Sequence, residues 1–459
     1  MPHSSFDAIV IGTGQSGPAL AARLAGAGQR VAVIERGKFG GTCVNNGCIP
    51  TKAMVASAYA AHLARRGSEY GVETGSAIRV DMKRVKARKD EISGSSSQGV
   101  ESWMRNTPNI TVFEGHARFG GPETVALGGE TLRAERIFVN VGGRPWIPAM
   151  PGLDRIPYLT NVGLMEVDYL PEHLIVVGGS YIGLEFGQMF RRFGAQVTIV
   201  EMMPRLIGRE DEDVSLAVQE ILQGEGVALR LNAKCLTVEK SAAGVTIGVS
   251  CEQGSPNVTG SHLLLAVGRV PNTDDLGLDQ AGIQTDARGY IVVDDELRTS
   301  NPRVWALGDC NGKGAFTHTS YNDYEIVAAN LLDGAGRKVS DRIPAYALFI
   351  DPPLGRVGLT ATEAKHAGYR ILVGKRPMTR VGRAVEKGET QGFLKVIVDA
   401  DSKRILGAAI LGTGGDEVVH SLMDAVDAGL PAAAVGRAVR IHPTVSELLP
   451  TVLGELKPE

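Results

Sequence analysis

The chain is poor in aromatic residues, in net charge and in cysteine, and it has no long apolar run. Phe, Trp and Tyr make up 5% of its 459 residues, too few for a stacking platform along single-stranded nucleic acid. Lys and Arg number 48 against 51 Asp and Glu, a formal charge of −3. That balance gives no electrostatic footing for nucleic acid or an anionic membrane as the main partner. No stretch approaches the ~18 apolar residues of a membrane span. Residues 1–7, Met-Pro-His-Ser-Ser-Phe-Asp, lead into an apolar run with no basic segment before it, so neither a signal peptide nor a membrane partner is expected and the location should be cytoplasmic. The five cysteines, Cys43, Cys48, Cys235, Cys251 and Cys310, are too few and too scattered for a secreted disulfide framework.

Glycine, by contrast, is abundant: 58 residues, about twice the usual share. Much of it marks one unit that occurs twice. Residues 6–11 are apolar and end in Gly12-Thr-Gly14-Gln-Ser-Gly17; a helical stretch follows, then Gly28 and a strand over 30–34 closed by Glu35. Residues 174–177 are apolar and end in Gly178-Gly179-Ser180-Tyr181-Ile182-Gly183; a helical stretch follows, then Gly194 and a strand over 197–200 closed by Glu201. Each is a strand–turn–helix–strand unit with an acid about 20 residues after its first glycine, the dinucleotide-binding pattern. Glycines let the backbone approach a pyrophosphate, and the helix N-terminus offers N–H groups and a positive dipole end. The acid accepts from the adenosine ribose. A single such motif is weak; the whole unit twice is strong. The second copy departs from the pattern at Ser180, where the middle glycine is expected.

Cys43-Val-Asn-Asn-Gly-Cys48 follows closely on the first unit. Two cysteines so close can form a small-loop disulfide that is readily reduced and reformed. Half of a zinc site and two unrelated thiols are the other readings. Zinc usually takes four ligands, and no second Cys/His pair of suitable spacing appears. No metal is therefore expected. The basic stretch 83–89 reads as a solvated helix face. Pro-rich stretches mark boundaries at 144–151, 270–273 and 342–344. Beyond the last, strand-like runs over 394–398 and 405–411 accompany a helical stretch near 418–428.

Residues 40–52, Gly-Gly-Thr-Cys-Val-Asn-Asn-Gly-Cys-Ile-Pro-Thr-Lys, are similar to the active-site segment of the class I pyridine nucleotide–disulfide oxidoreductases. That family includes dihydrolipoamide dehydrogenase, glutathione reductase, mercuric reductase and hypothiocyanous acid reductase. Asn140-Val-Gly142-Gly-Arg-Pro145, Ala266-Val-Gly268-Arg-Val-Pro271, Ala306-Leu-Gly308-Asp309 and Ile441-His442-Pro443-Thr444-Val-Ser-Glu447 resemble further family motifs, in family order. The resemblance covers essentially the whole chain.

It implies an α/β protein with two Rossmann-like dinucleotide-binding domains and a C-terminal α+β dimerisation domain. The expected division is FAD binding over 1–150, NAD(P) binding over 151–273, the rest of the FAD-binding part over 274–341 and dimerisation over 342–459. It implies electrons passing from NAD(P)H through FAD to a Cys43–Cys48 disulfide, then to a small disulfide or other thiol-reactive oxidant. Cys48 is the flavin-side thiol and Cys43 the thiol that meets substrate. Gly12, Gly14, Gly17 and Glu35 hold the FAD pyrophosphate and ribose, while Gly41, Thr42, Gly115, Gly142 and Asp309 line the rest of the FAD, with Thr317 opening a helix towards it. Lys52 pairs with Glu185 by the flavin. Gly178, Ser180, Gly183, Glu201 and Gly268 serve the nicotinamide nucleotide, and Tyr181 is a movable lid over its pocket. An acid at Glu201 favours NADH over NADPH. His442 is the acid–base residue, oriented by Glu447, and it reaches the cysteines of a partner subunit in a homodimer with shared sites.

Three further readings stand beside this one: a dihydrolipoamide dehydrogenase, a reductase of mercuric or other soft metal ions, and a redox-sensing flavoprotein. Mercury fits less well, since residues 449–459 carry no cysteine and His442 is retained.

Overall fold

The computed structural model describes residues 3–75, 77–250 and 254–459. Cys251 lies outside them. The described strands gather into sheets of seven, four, three, two and six strands. The chain divides into two compact units. The first takes in residues up to Met54, Lys83–Trp146 and Gly268–Arg342; the second Val55–Met82, Ile147–Val267 and Ile343–Glu459.

In the first unit the strand His3–Ile11 lies between two parallel neighbours, Val31–Glu35 and Glu130–Val139. Ile110–Glu114 extends the sheet on one side and Val304–Ala306 on the other, both parallel. The central strand is apolar at every position from Ala8 to Ile11 because both its faces are covered. Ile9 and Ile11 pack into one core with Ile34, Ile137 and Val139. Ala8 and Val10 pack into the other with Leu20 and Leu24, one helical turn apart on the helix Ser16–Gly26. The first strand begins three residues earlier than the sequence pattern suggests, pairing outward from His3↔Thr131.

The second unit holds a parallel sheet in the order Ala228–Arg230, Gln196–Val200, His173–Val177, His262–Leu265. A three-stranded antiparallel sheet shares its core through Ile175, Val177, Val245 and Ile247. The C-terminal segment forms a six-stranded sheet with Leu354–Gly358, Ile405–Leu411 and Phe393–Asp399 in its middle, antiparallel throughout. The helical stretch expected near 418–428 is two helices, Gly415–Val418 and His420–Asp427.

The basic stretch 83–89 is helical and Lys83, Arg84 and Arg88 are exposed, as expected; the expectation needs correcting at Lys89 alone. The stretch lies in the helix Met82–Asn106, and Lys89 is 3% exposed, with its ammonium 2.5 Å from Asp90 Oδ1. Helical spacing explains it: Met82, Lys89 and Ser93 fall on one face, and all three are buried.

Candidate active site

In an open parallel sheet, ligands bind beyond the carboxyl ends of the strands. In the first unit those ends are Ile11, Glu35, Glu114, Val139 and Ala306. Gly12, Glu35, Gly115, Gly142 and Asp309 therefore lie along one edge, although the sequence scatters them over some three hundred residues.

Glycine is compulsory at the turn. Gly12 has φ +100°, and a Cβ there would sit 2.3 Å from the Asn140 carbonyl oxygen; one at Gly17 would sit 2.2 Å from the Gly12 carbonyl oxygen. The helix that follows has no side-chain cap from its N-cap residue Gln15, so its first N–H groups suit an anion. Glu35 ends the next strand. Its carboxylate accepts from Thr13 N–H at 2.9 Å, Thr13 O–H at 2.6 Å and Gly37 N–H at 2.9 Å. Around Gly142, at φ +63°, no atom stands within 4 Å of where a Cβ would be. Burial pushes the Asp309 carboxyl up, opposed by the Arg269 guanidinium, whose Nε lies 3.9 Å away. A turn only glycine can make, a helix start that its own N-cap residue leaves uncapped, an acid at the second strand and open space beyond the fourth fit a dinucleotide cofactor.

Asn140 opens a family-like motif, but its task is not legible in the sequence. Its Oδ1 accepts from Gly17 N–H at 3.2 Å, and its Nδ2 donates to Leu307 O at 3.1 Å and Ser16 Oγ at 3.3 Å. One side chain thus ties the phosphate turn to two other parts of the edge. Only an Asn that opens this motif, directly after an apolar strand, hints at it.

The cysteines stand at this same edge. Gly40 and Gly41 are left-handed (φ +95° and +62°), and a Cβ on Gly41 would lie 2.8 Å from Gly14 Cα. The segment thus packs directly on the phosphate turn. Cys43 sits in the short helix Gly41–Asn45, and Cys48 opens the helix Cys48–Arg65, which also carries Lys52. Between them, Gly47 allows a tight approach to Thr42. Cys43 is half-buried and Cys48 exposed. Cys48 Sγ lies 3.0 Å from Oγ1 of Thr317, the first residue of the helix Thr317–Ala328. Cys48 therefore stands at the start of its own helix and beside the start of a second, places where the helix dipole suits an anion. The Cys43 thiol is pushed up, first by its hydrogen bond with Cys48 and then by burial, against a downward pull from Thr317. Like charges so close do not both ionise, so at most one of the two thiols carries a charge. Thr42 Oγ1 is 3.5 Å from Arg269 Nη2. Elsewhere, burial pushes Cys235 up to about 11 and Cys310 up to about 12, so neither is a ready nucleophile.

The second unit repeats the turn. Gly178 has φ +115°, and its Cβ would meet the Ala266 carbonyl oxygen at 2.3 Å; one at Gly183 would meet the Gly178 carbonyl oxygen at 2.0 Å. Ser180 has φ −117° and ψ −173°, extended backbone that any residue adopts, which explains why glycine can be replaced there. Glu201 accepts from Gly179 N–H at 2.6 Å and Met203 N–H at 2.7 Å. Tyr181 is the first residue of the helix Tyr181–Phe193, and burial pushes its phenol up to about 12. Glu185, on the same helix, accepts from Phe349 N–H at 3.1 Å. His442 is 80% exposed in its side chain, and its Nδ1 lies 2.8 Å from Oε2 of the 17% exposed Glu447. His442, Glu447, Glu185 and Tyr181 belong to the second unit, whereas Cys43, Cys48, Lys52 and Gly268 belong to the first. No group of three or more His, Cys, Asp or Glu side chains able to hold a metal occurs among the described residues. Among them, too, no helix is long and apolar enough to cross a membrane.

Comparison with known proteins gives a consistent picture. Residues 6–323 match the family model of the pyridine nucleotide-disulphide oxidoreductases, and residues 344–453 match that of their dimerisation domain. The chain is 36% identical over 455 residues to the probable pyridine nucleotide-disulfide oxidoreductase RclA of Escherichia coli (strain K12), covering 97% of this chain and 98% of that protein. It is 33% identical over 452 residues to a mercuric reductase of Streptomyces lividans, covering 97% and 95%. A solved structure, the Cu(II) complex of the HOCl-induced flavoprotein disulfide reductase RclA from Escherichia coli, superposes with a TM-score of 0.90 at 35% identity, covering 98% of this chain and 99% of that one.

Proposed function

The chain belongs to the pyridine nucleotide-disulphide oxidoreductases, and we propose that Cys43 and Cys48 are its redox pair, with a small disulfide or another thiol-reactive oxidant as acceptor. It is an enzyme of a flavin- and pyridine nucleotide-dependent family and carries that family's dimerisation domain. The observation that carries the proposal is the close placement of Cys43, Cys48 and Thr317 at the dinucleotide edge of the first unit. When bound, FAD relays electrons from the reduced nicotinamide nucleotide to the Cys43–Cys48 disulfide.

Gly12, Gly14, Gly17, Glu35, Gly41, Thr42, Gly115, Gly142 and Asp309 hold FAD; Gly178, Ser180, Gly183, Glu201 and Gly268 serve the nicotinamide nucleotide, with Tyr181 as its lid. Cys48, beside the Thr317 hydroxyl and two helix starts, keeps the thiolate. Cys43, whose thiol its surroundings hold protonated, needs a base before it can attack. His442 supplies one: its Nδ1 is turned to Glu447, which leaves Nε2 for the proton. Deprotonated Cys43 attacks one sulfur of the substrate disulfide, that S–S bond breaks, and a mixed disulfide forms on Cys43. The first thiol leaves with the proton from His442. Cys48 then attacks the Cys43 sulfur, the second product leaves as a thiolate that takes a proton from solvent, and the Cys43–Cys48 disulfide is restored. In this reading His442 acts on the cysteines of a partner subunit, the nucleotide is NADH, and the enzyme works in the cytoplasm. The HOCl-induced disulfide reductase among the solved relatives supports an oxidised sulfur acceptor.

The test is a redox titration followed by turnover with lipoamide, glutathione disulfide, hypothiocyanous acid, Hg(II) and Cu(II). The purified protein should be yellow, and partial reduction should raise a thiolate–flavin absorption band. Cys48→Ser should abolish the band, and Cys43→Ser should show it without reductant. Both variants should lose disulfide turnover. A colourless protein that FAD cannot reconstitute would sink the proposal, and the reverse pattern in the two variants would exchange the roles of the thiols. Nucleotide oxidation that none of the acceptors stimulates would favour a redox sensor.

A further inference from the structure

The sequence marks Tyr181 but nothing that holds it. In the second unit its ring lies edge-on against Tyr346, with centroids 5.6 Å apart and planes at 89°. The Tyr346 hydroxyl donates to Glu210 Oε1 at 2.5 Å. Arg356 donates through Nε to both Glu210 oxygens, at 3.3 and 3.1 Å, and pairs with Oε2 through Nη2. Tyr346 and Arg356 are direct cross-strand partners, on Ala345–Leu348 and Leu354–Gly358. Two neighbouring side chains of one sheet therefore converge on a single carboxylate. Glu210 is 2% exposed and Arg356 1%. The pair is not completed for stability: Arg356 Nη1 is buried with no hydrogen-bond partner. A buried ion pair adds little net stability, and an unsatisfied guanidinium N–H subtracts from it. What the pair does is fix the Glu210 carboxylate, and with it the Tyr346 hydroxyl and ring.

We infer that Tyr346 is a positioning residue, held by Glu210 and Arg356, that latches the Tyr181 ring in its closed position and thereby sets how readily a nicotinamide ring enters. This rests on the reading of Tyr181 as the nicotinamide lid. A lid that must be unlatched lowers the apparent affinity of any ligand that displaces it. Ligands that stop short of the lid are not affected.

The test uses the flavin-loaded enzyme and calorimetric titration with two pairs of ligands: NAD⁺ against ADP-ribose, and NADP⁺ against 2′-phospho-ADP-ribose. The second member of each pair lacks the nicotinamide. Tyr346→Phe keeps the ring and its volume but removes the hydroxyl. It should tighten the nicotinamide-bearing ligand about fivefold, the size of one modest net hydrogen bond, and leave the fragment unchanged. Tyr181→Ala should tighten the same ligand by at least as much, and the double variant should gain nothing over Tyr181→Ala, since both act through one ring. A parallel shift of ligand and fragment in Tyr346→Phe would mean general loosening of the unit and overturn the latch. If Tyr181→Ala tightens binding and Tyr346→Phe does not, the lid stands and the latch falls. If Tyr181→Ala changes neither ligand, the lid reading fails and the latch fails with it.

Discussion

The two nucleotide turns share one backbone plan and differ in what surrounds it. In both, the first glycine is left-handed against a carbonyl of a neighbouring strand's end, and the last lets the helix rest on the first. In both, the acid ending the second strand accepts backbone N–H groups from the turn and from two residues further on. The middle position separates them. A Cβ on Gly14 would stand 2.8 Å from Asn140 Oδ1, and Asn140 is tied down by three hydrogen bonds. Ser180 is exposed, and its backbone is extended. The first turn is locked into its sheet edge, as suits a cofactor that stays. The second is followed instead by Tyr181, first residue of its helix and the proposed lid of a nucleotide that comes and goes. The difference lies in the supports, not in the glycine pattern.

The sharpest way to break this comparison is to exchange the middle residues. Gly14→Ala should purify largely without flavin, because its Cβ has no room unless Asn140 lets go of the turn. Ser180→Gly should bind nicotinamide nucleotide within about twofold of the parent, the change being a surface one. Flavin absorbance per chain and calorimetric titration check the two. Full flavin content in Gly14→Ala would show that the first turn is no more constrained than the second.

The next largest effect concerns the division of chemistry. His442→Ala should slow reoxidation by disulfide substrate roughly 10²–10⁴-fold, the usual worth of positioned acid–base help, while flavin reduction by the nucleotide stays near the parent rate. Stopped-flow measurement of each half-reaction decides it. Equal losses in both would make His442 structural.

These contrasts also show what could be read beforehand. Strand–turn–helix–strand units are local, so the glycines, Glu35, Glu201 and the Cys43–Cys48 segment are visible within short windows, and they report both parallel sheets. Asn140, Arg269, Glu210, Tyr346 and Arg356 act across one hundred residues or more, and their residue types carry no local pattern. Lys89 misled because a basic stretch looks solvated until the helix phase is known. The carboxyl-edge gathering of Gly115, Gly142 and Asp309 came from family resemblance; composition and spacing alone did not supply it.

Acid should separate the two units. Burial works against the charge on Asp211, yet the Ala361 N–H, the Lys395 ammonium and the Thr362 N–H hold its carboxyl down to about 2; Lys395 Nζ is 3.0 Å away. A depressed carboxyl stabilises fully above its unfolded value and loses that contribution as pH falls through its folded value. The stability advantage of the parent over Asp211→Asn should therefore be about 2 kcal/mol near pH 5 and shrink steadily between pH 4 and pH 2. In the first unit Asp309 has the opposite sign. Burial raises its carboxyl, so its contribution improves on acidification and falls as pH rises. Urea denaturation across that range, followed separately by flavin release and by far-UV signal, reads both; a pH-independent difference for Asp211→Asn would remove the acid switch from the second unit.

The smallest effect tests the likeness of Glu35 and Glu201. Each Glu201 oxygen already accepts one N–H, but a carboxylate oxygen has a second lone-pair site, so the group can still take a hydrogen bond from a free ribose 2′-hydroxyl. A 2′-phosphate brings close to two negative charges against that carboxylate, and the turn that Glu201 pins prevents it from swinging aside. Relief would have to come from a cation, and Arg205, half-buried four residues on, is the nearest in sequence, with the exposed Arg209 beyond it. Since Glu201 is held by two N–H groups and Arg205 is not part of that arrangement, the carboxylate should dominate. We expect kcat/KM to favour NADH over NADPH by about tenfold or more, close to 1.4 kcal/mol of discrimination. Glu201→Gln keeps the size and one acceptor and removes the charge, so it should erase most of that ratio while leaving flavin content unchanged. Arg205→Ala should leave it in place. A parent that prefers NADPH, with the preference lost in Arg205→Ala and kept in Glu201→Gln, would show that the second acid only pins its turn and that the two units read their riboses by different means.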